Sequence, residues 1–228
     1  MKLTATAVLS ALLCAEAALA AEHATVESNW GGAILEGSGF TAASAVANVP
    51  KGGGGSSAAG SAWVGIDGAT CDSAILQTGF DWYGDGTYDA WYEWYPEYAA
   101  DFTGITISEG DSIQMSVVAT SLTGGSATLE NLTTGQKVTQ TFSGVTAGSL
   151  CETSAEFIIE DFEECNGNNC QPVPFASFSP AVKFTKCSAT AKGKSVALSS
   201  AELSEVIVNN KDLTKCSVSG TTLTCSYV

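Results

Sequence analysis

Apolar and polar positions alternate along most of this chain. Ile113, Met115 and Val117 fall on one side of an extended run, with Gln114 and Ser116 on the other. A period of two is the signature of a half-buried strand. The same reading predicts strands over residues 62–67, 73–82, 87–94, 111–120, 127–132, 137–142, 155–162, 181–187, 205–209 and 221–228, with Gly, Ser and Asn at the turns between them. The one hint of helix is a Ser-x-x-Glu capping pattern over 199–203. So many short strands predict an all-β sandwich of two antiparallel sheets of about seven strands each, of the jelly-roll (concanavalin A-like) type. The Gly/Ser/Ala-rich stretch 52–60 reads as a flexible surface loop.

Alternation also sorts three neighbouring runs. Trp63 and Asp67 share a face, and Gln77 shares one with Ile75 and Gly79. Asp89, Trp91, Glu93 and Tyr95 line one side of the third run, while Tyr92 and Trp94 point the other way, toward a core. Large aromatics beside ionisable groups on one sheet face read as a binding surface. In 155–164, Glu156, Ile158, Glu160 and Phe162 share a face. A carboxyl set against an aromatic loses solvent, which raises its pKa and fits acid–base work at low pH.

Residues 1–20 have the form of a secretory signal: Lys2, a short apolar stretch, then Ala18-Leu19-Ala20. Residues 21–24 form a short stub, and 25–228 are expected to fold as one exported domain that needs no membrane. The net charge is −15, with nine lysines and no arginine. That balance argues against a nucleic-acid partner. An acid-rich surface loses charge as pH falls, which fits a protein working in acid.

Export makes the cysteines disulfide candidates. Cys14 leaves with the signal. Cys71 with Cys151 would close a long loop, worth roughly 4 kcal/mol in the chain-entropy picture. Cys165 with Cys170, and Cys216 with Cys225, bracket short turns and leave Cys187 over. No spacing resembles a zinc site, His23 is the one histidine, and neither metal nor cofactor is expected. Asn131-Leu132-Thr133 is a glycosylation sequon, expected at an exposed turn. With one histidine by the cleavage site, no Ser-His-Asp arrangement is available. Nucleophile-elbow, zinc-helix and aspartic-dyad motifs are absent, so hydrolysis must use carboxylates, amides and water.

The segments Trp63-Val-Gly-Ile-Asp67, Ala74-Ile-Leu-Gln-Thr-Gly79, Tyr88-Asp-Ala-Trp-Tyr-Glu-Trp-Tyr95 and Ile159-Glu-Asp-Phe162 resemble the fungal glutamic peptidases, the eqolisins. The resemblance runs from Thr25 to the last strand. It implies a sandwich of two seven-stranded sheets and pepstatin-insensitive endopeptidase action in acid on polypeptide substrates. It puts the catalytic pair at Gln77 and Glu160. It has Trp30, Trp63, Asp67, Asp89, Trp91, Glu93, Tyr95, Phe162 and Glu163 line or buttress the substrate groove, and it supports the three disulfide pairings. Glu163 alternates away from Glu160 unless the strand ends or bulges between them. The family usually carries a basic propeptide, and only residues 21–24 stand in its place. A monomer is expected.

Two other classes fit the bare residues. A glycoside hydrolase on a similar sandwich would use Glu93 and Glu160 as its two carboxyls. A lectin-like module would bind through the stacked aromatics alone. A glutamine facing Glu160 favours peptide cleavage over both. Residues 94–100, with Pro96, fit a hairpin tip over the cleft and an ordinary turn equally well.

Overall fold

The computed structural model describes residues 28–166 and 169–228. The signal and stub segments, His23 and Cys14 lie outside the described residues. Two antiparallel sheets of seven and eight strands stack face to face. The sheet that carries the site is built, in chain order, from β1 (Trp30–Glu36), β2 (Ala59–Ile66), β3 (Ile75–Tyr83), β4 (Tyr88–Tyr95), β5 (Ala100–Asp101), β6 (Ser154–Glu160) and β7 (Glu202–Ser204). Its spatial order is β7-β1-β6-β2-β3-β4-β5. The second sheet centres on Phe40–Asn48, flanked by Ser112–Ser121 and Val182–Ala191.

The core lies between the sheets. Val64, Ile66, Leu76, Phe80, Trp82, Trp94, Phe157 and Ile159 come from the first sheet, and Ile113, Met115, Val117, Leu129, Val182 and Phe184 from the second. Each set follows the two-residue period, so the pleat itself carries the opposite set outward. Two of these strands, Trp30–Glu36 and Phe40–Asn48, were not legible as strands. The first has two glycines, Gly31 and Gly32, straight after Trp30. The second is half alanine, a poor strand former by itself. Its Ala43, Ala45 and Ala47 are buried in the core, where small side chains suit a central strand.

Three local expectations are corrected. The stretch 52–60 is not simply a surface loop: Lys51–Gly53 pairs with Ser177–Ser179, and β2 begins at Ala59, fully buried. The helix hint at 199–203 is one 3-10 turn, Leu198–Ser200, followed by β7. Asn131 is not at an exposed turn: it is fully buried. Its Nδ2 donates to Thr106 O (2.9 Å) and to Asp111 (2.7 Å), and its Oδ1 accepts from the Thr133 and Thr134 amides. The sequon side chain is therefore a buried staple, fully occupied inside the folded protein.

Cys71–Cys151 and Cys216–Cys225 are bonded. Cys170 is disulfide-bonded and stands opposite Cys165 in the Glu163–Asn166/Asn169–Pro172 hairpin, the Cys165 side chain itself lying outside the described residues. Cys187 is free and buried, and burial pushes its thiol up to about 11. Such a thiol behaves as an apolar filler.

Candidate active site

The outward face of the first sheet is a groove of about 970 Å³. Strand register builds it in rungs. One rung runs Trp30, Glu160, Ser61, Asp81, Asp89 across β1, β6, β2, β3 and β4. The next runs Gly32, Ile158, Trp63, Gly79, Trp91, and the third Ile34, Glu156, Gly65, Gln77, Glu93. Glu160 and Gln77 thus share the groove face, with one strand between them and two rungs apart. Glycine makes this floor possible. A Cβ on Gly79 would sit 2.6 Å from Trp63 Cβ and 2.9 Å from Trp91 Cζ2, and one on Gly65 would sit 2.8 Å from Trp63 Cζ3. The indoles lie over bare backbone at these two positions.

Glu160, at the end of β6, is held by two donors. Trp63 Nε1 donates to Oε2 at 2.7 Å, and Asn29 Nδ2 donates to Oε1 at 2.9 Å. Trp30 packs edge-on against Trp63, with ring centroids 4.9 Å apart. Burial pushes the Glu160 carboxyl up to about 7, against the pull of the Trp30 and Trp63 N–H groups, and the adjacent Asp161 charge adds to the rise. Gln77 is 6 % exposed; its Nε2 donates to Glu93, and its Oε1 is buried without a partner. Burial carries Glu93 up to about 7, opposed by the Gln77 bond and helped by the Glu160 charge. Asp81 also rises to about 7 through burial, although Ser61 and the Trp91 indole donate to it, the latter at 2.7 Å. Three carboxyls with raised proton affinity therefore line one groove, and no lysine is among the groove's lining residues.

The remaining expected residues divide. Trp30, Trp91, Glu93, Tyr95, Phe162 and Glu163 line the groove. Glu163 does so because β6 stops at Glu160 and a separate hairpin begins at Glu163, which removes the alternation conflict. Residues 95–99 also line it. Trp63 is fully buried and forms the floor beneath Glu160. Asp89 is exposed opposite Asp81 and is not among the groove's lining residues.

Asp67 does not reach the groove. It is fully buried at φ 71° and accepts the amides of Cys151, Glu152, Thr153 and Ser154 at 2.7–3.3 Å. It anchors the loop that leads into β6, beside the Cys71–Cys151 bridge. Asn29, Ser61 and Asp81 were not picked out from the sequence. Extending the Ile75, Gln77, Gly79 alternation by one step would have found Asp81. No pattern marks Asn29, which precedes the first strand.

The model of the Peptidase A4 family matches residues 28–227. The chain is 64 % identical to scytalidopepsin B of Scytalidium lignicola, an alignment covering 100 % of both sequences. It is 51 % identical to aspergillopepsin-2 of Aspergillus niger over 88 % of this chain and 78 % of that one. A crystal structure of scytalido-glutamic peptidase with a transition state analog inhibitor superposes with a TM-score of 0.88 at 74 % identity, over 90 % of this chain and 100 % of the other. The structure of SCP-B, an eqolisin, in complex with the tripeptide Ala-Ile-His superposes with a TM-score of 0.83 at 70 % identity, over the same shares.

Proposed function

This chain belongs to the Peptidase A4 family and is a glutamic peptidase of the eqolisin type, and from that premise we propose that it is an exported, pepstatin-insensitive endopeptidase that cleaves polypeptides in acid through Gln77 and Glu160. The observation that carries the proposal is the pairing of opposite chemistries in one groove. Glu160 is a carboxyl with raised proton affinity, fixed by Trp63 and Asn29. Gln77 is a non-titrating amide, anchored on Glu93 through one of its two N–H bonds.

In its ionised form, the minor one in acid for a carboxyl raised to about 7, Glu160 takes a proton from water as the water oxygen bonds to the scissile carbonyl carbon. The free N–H of Gln77 donates to the oxyanion that develops. Glu160 then gives its proton to the amide nitrogen, the C–N bond breaks, and the carbonyl re-forms as the carboxyl product. A raised pKa serves both halves: it strengthens the base and keeps the resulting acid able to donate. Trp30, Trp91 and Tyr95 supply apolar walls for an extended peptide. A peptide substrate agrees with the tripeptide Ala-Ile-His in the SCP-B structure and the peptide based transition state analog in a structure of scytalido-glutamic peptidase. The chain is expected to work as one domain and as a monomer.

The test is digestion of denatured haemoglobin in acid with pepstatin present. The purified protein cleaves it, and Glu160→Gln and Gln77→Ala do not, while circular dichroism shows both variants folded. Cleavage by either variant at more than about a tenth of the normal rate would remove that residue from the reaction.

A further inference from the structure

Gln77 and Glu93 stand directly opposite each other on β3 and β4. The amide donates from Nε2 to Glu93 Oε2, and its own oxygen is buried with no donor. A buried amide oxygen left unpaired costs about 1–3 kcal/mol. A carboxylate cannot satisfy it, since it has no hydrogen to offer, whereas a carboxylic acid has one. An acid and a primary amide pair through two parallel bonds, N–H to carbonyl oxygen and O–H to amide oxygen. We propose that Glu93 is the positioning residue for Gln77 and acts as the neutral acid: it accepts from Nε2 and donates its O–H to Oε1, which holds the second N–H of Nε2 toward the substrate. The proposal rests on Gln77 being the oxyanion donor and deepens that reading, because it gives Glu93 a proton that stays in place while Glu160 is the group that loses and regains one.

The surroundings favour the neutral form. Gln77 faces Glu93 from β3, and Glu160 acts on it from β6. Asp81, Asp101, Tyr95 and Glu97 line the same groove from β3, from β5 and from the end of β4 and its loop, and no lysine among the lining residues offsets them. Burial and the Glu160 charge both hold the Glu93 proton on. Two coupled carboxyls lose their protons in two steps, and the singly protonated pair predominates between them. Loss of the second proton turns Glu93 into a carboxylate facing Gln77 Oε1. Two acceptors then oppose each other, and the amide is no longer fixed.

Steady-state kinetics of the full protein and two variants test this, on one quenched-fluorescence peptide from about pH 3 to about pH 7. Re-acidification is used to separate reversible loss of rate from unfolding. Glutamine at 93 offers an N–H and a carbonyl that do not titrate. Glu93→Gln is therefore expected to keep kcat within about tenfold of the unsubstituted protein at its peak and to lose the reversible alkaline fall, with the acid limb in place. Glu93→Leu is expected to lose about a hundredfold in kcat with KM within about threefold. An unaltered alkaline limb in Glu93→Gln overturns the proposal even if Glu93→Leu does not fold. So does unchanged kcat in a folded Glu93→Leu. An active Gln77→Ala would instead remove the dyad reading, so the two failures are distinguishable.

Discussion

The two sheets are both antiparallel and differ in what they turn outward. The second sheet shows water a ladder of small polar groups. Ser44, Ser116, Thr128 and Thr139 stand side by side, the two threonine hydroxyls 2.9 Å apart. Next to them an exposed Lys137 pairs with Glu130 at 2.9 Å. The first sheet shows a groove of indoles and carboxyls instead, and burial there raises Asp81, Glu93 and Glu160 to about 7. Charge near water is cheap and of little consequence, whereas a carboxyl walled by tryptophan becomes a proton carrier. The strand pattern cannot distinguish the two faces. The contents of the outward face and the loops that shade it do.

The contrast can be attacked at several points. Outside Gln77, Glu93 and Glu160 themselves, the largest effect is expected at Trp63, whose N–H helps hold Glu160 in its ionised form. Trp63→Phe keeps a ring and removes that donor, so kcat/KM should fall by about tenfold or more. The acid limb of the pH–rate profile should move to higher pH, because Glu160 loses a bond that lowered its pKa. An unmoved limb would detach Trp63 from Glu160.

Stability should follow the same groups. Asp81, Glu93 and Glu160 are raised to about 7, Asp161 to about 6, and Glu156 well above its ordinary range by burial. A carboxyl with a raised folded pKa contributes stability that is full below its unfolded value near 4 and is lost as pH rises through the folded one. Tm is therefore expected to be highest in acid and to fall by at least about 5 °C between about pH 4 and pH 7. A Tm that climbs over that window contradicts the burial account. Glu156 sharpens the point, being fully buried, with Asp67 and Glu36 charges close by and burial outweighing the pull of Ser154 and the Ala69 backbone. Glu156→Gln cannot ionise, and it should raise stability at pH 7 by about 1–2 kcal/mol while changing it little in acid. The smallest effect belongs to the other sheet. Lys137→Ala breaks a solvated pair and should cost no more than about 0.5 kcal/mol, with unchanged peptide cleavage.

Much of this was legible from residue order, for physical reasons that can be named. The period-two runs located most strands of both sheets because one face of each packs on a core. The four motif segments carried the resemblance that singles out Gln77 and Glu160, and the strand register turns both toward the groove. The family settles the class against the glycosidase and lectin alternatives. What stayed hidden depends on contacts between strands. Asp67 sat in a motif beside Trp63, yet a left-handed backbone turns it into the loop under β6. Glu156 and Glu160 share a face, and the sequence alone does not show which is roofed over and which opens to the groove. Asn131 carried a surface signal and proved to be a buried staple, because a sequon describes three residues and not their surroundings.

The central claim is that Gln77 and Glu160 act as one unit on a single peptide bond. It is tested most directly by measuring kcat for Gln77→Ala, Glu160→Gln and the double variant on one peptide in acid. Groups that act together are grossly non-additive. Each single substitution is expected to lose at least about a thousandfold, and the double variant no more than about tenfold beyond the worse single. Either single variant within about tenfold of the unsubstituted protein, or losses that multiply in the double, would contradict the account.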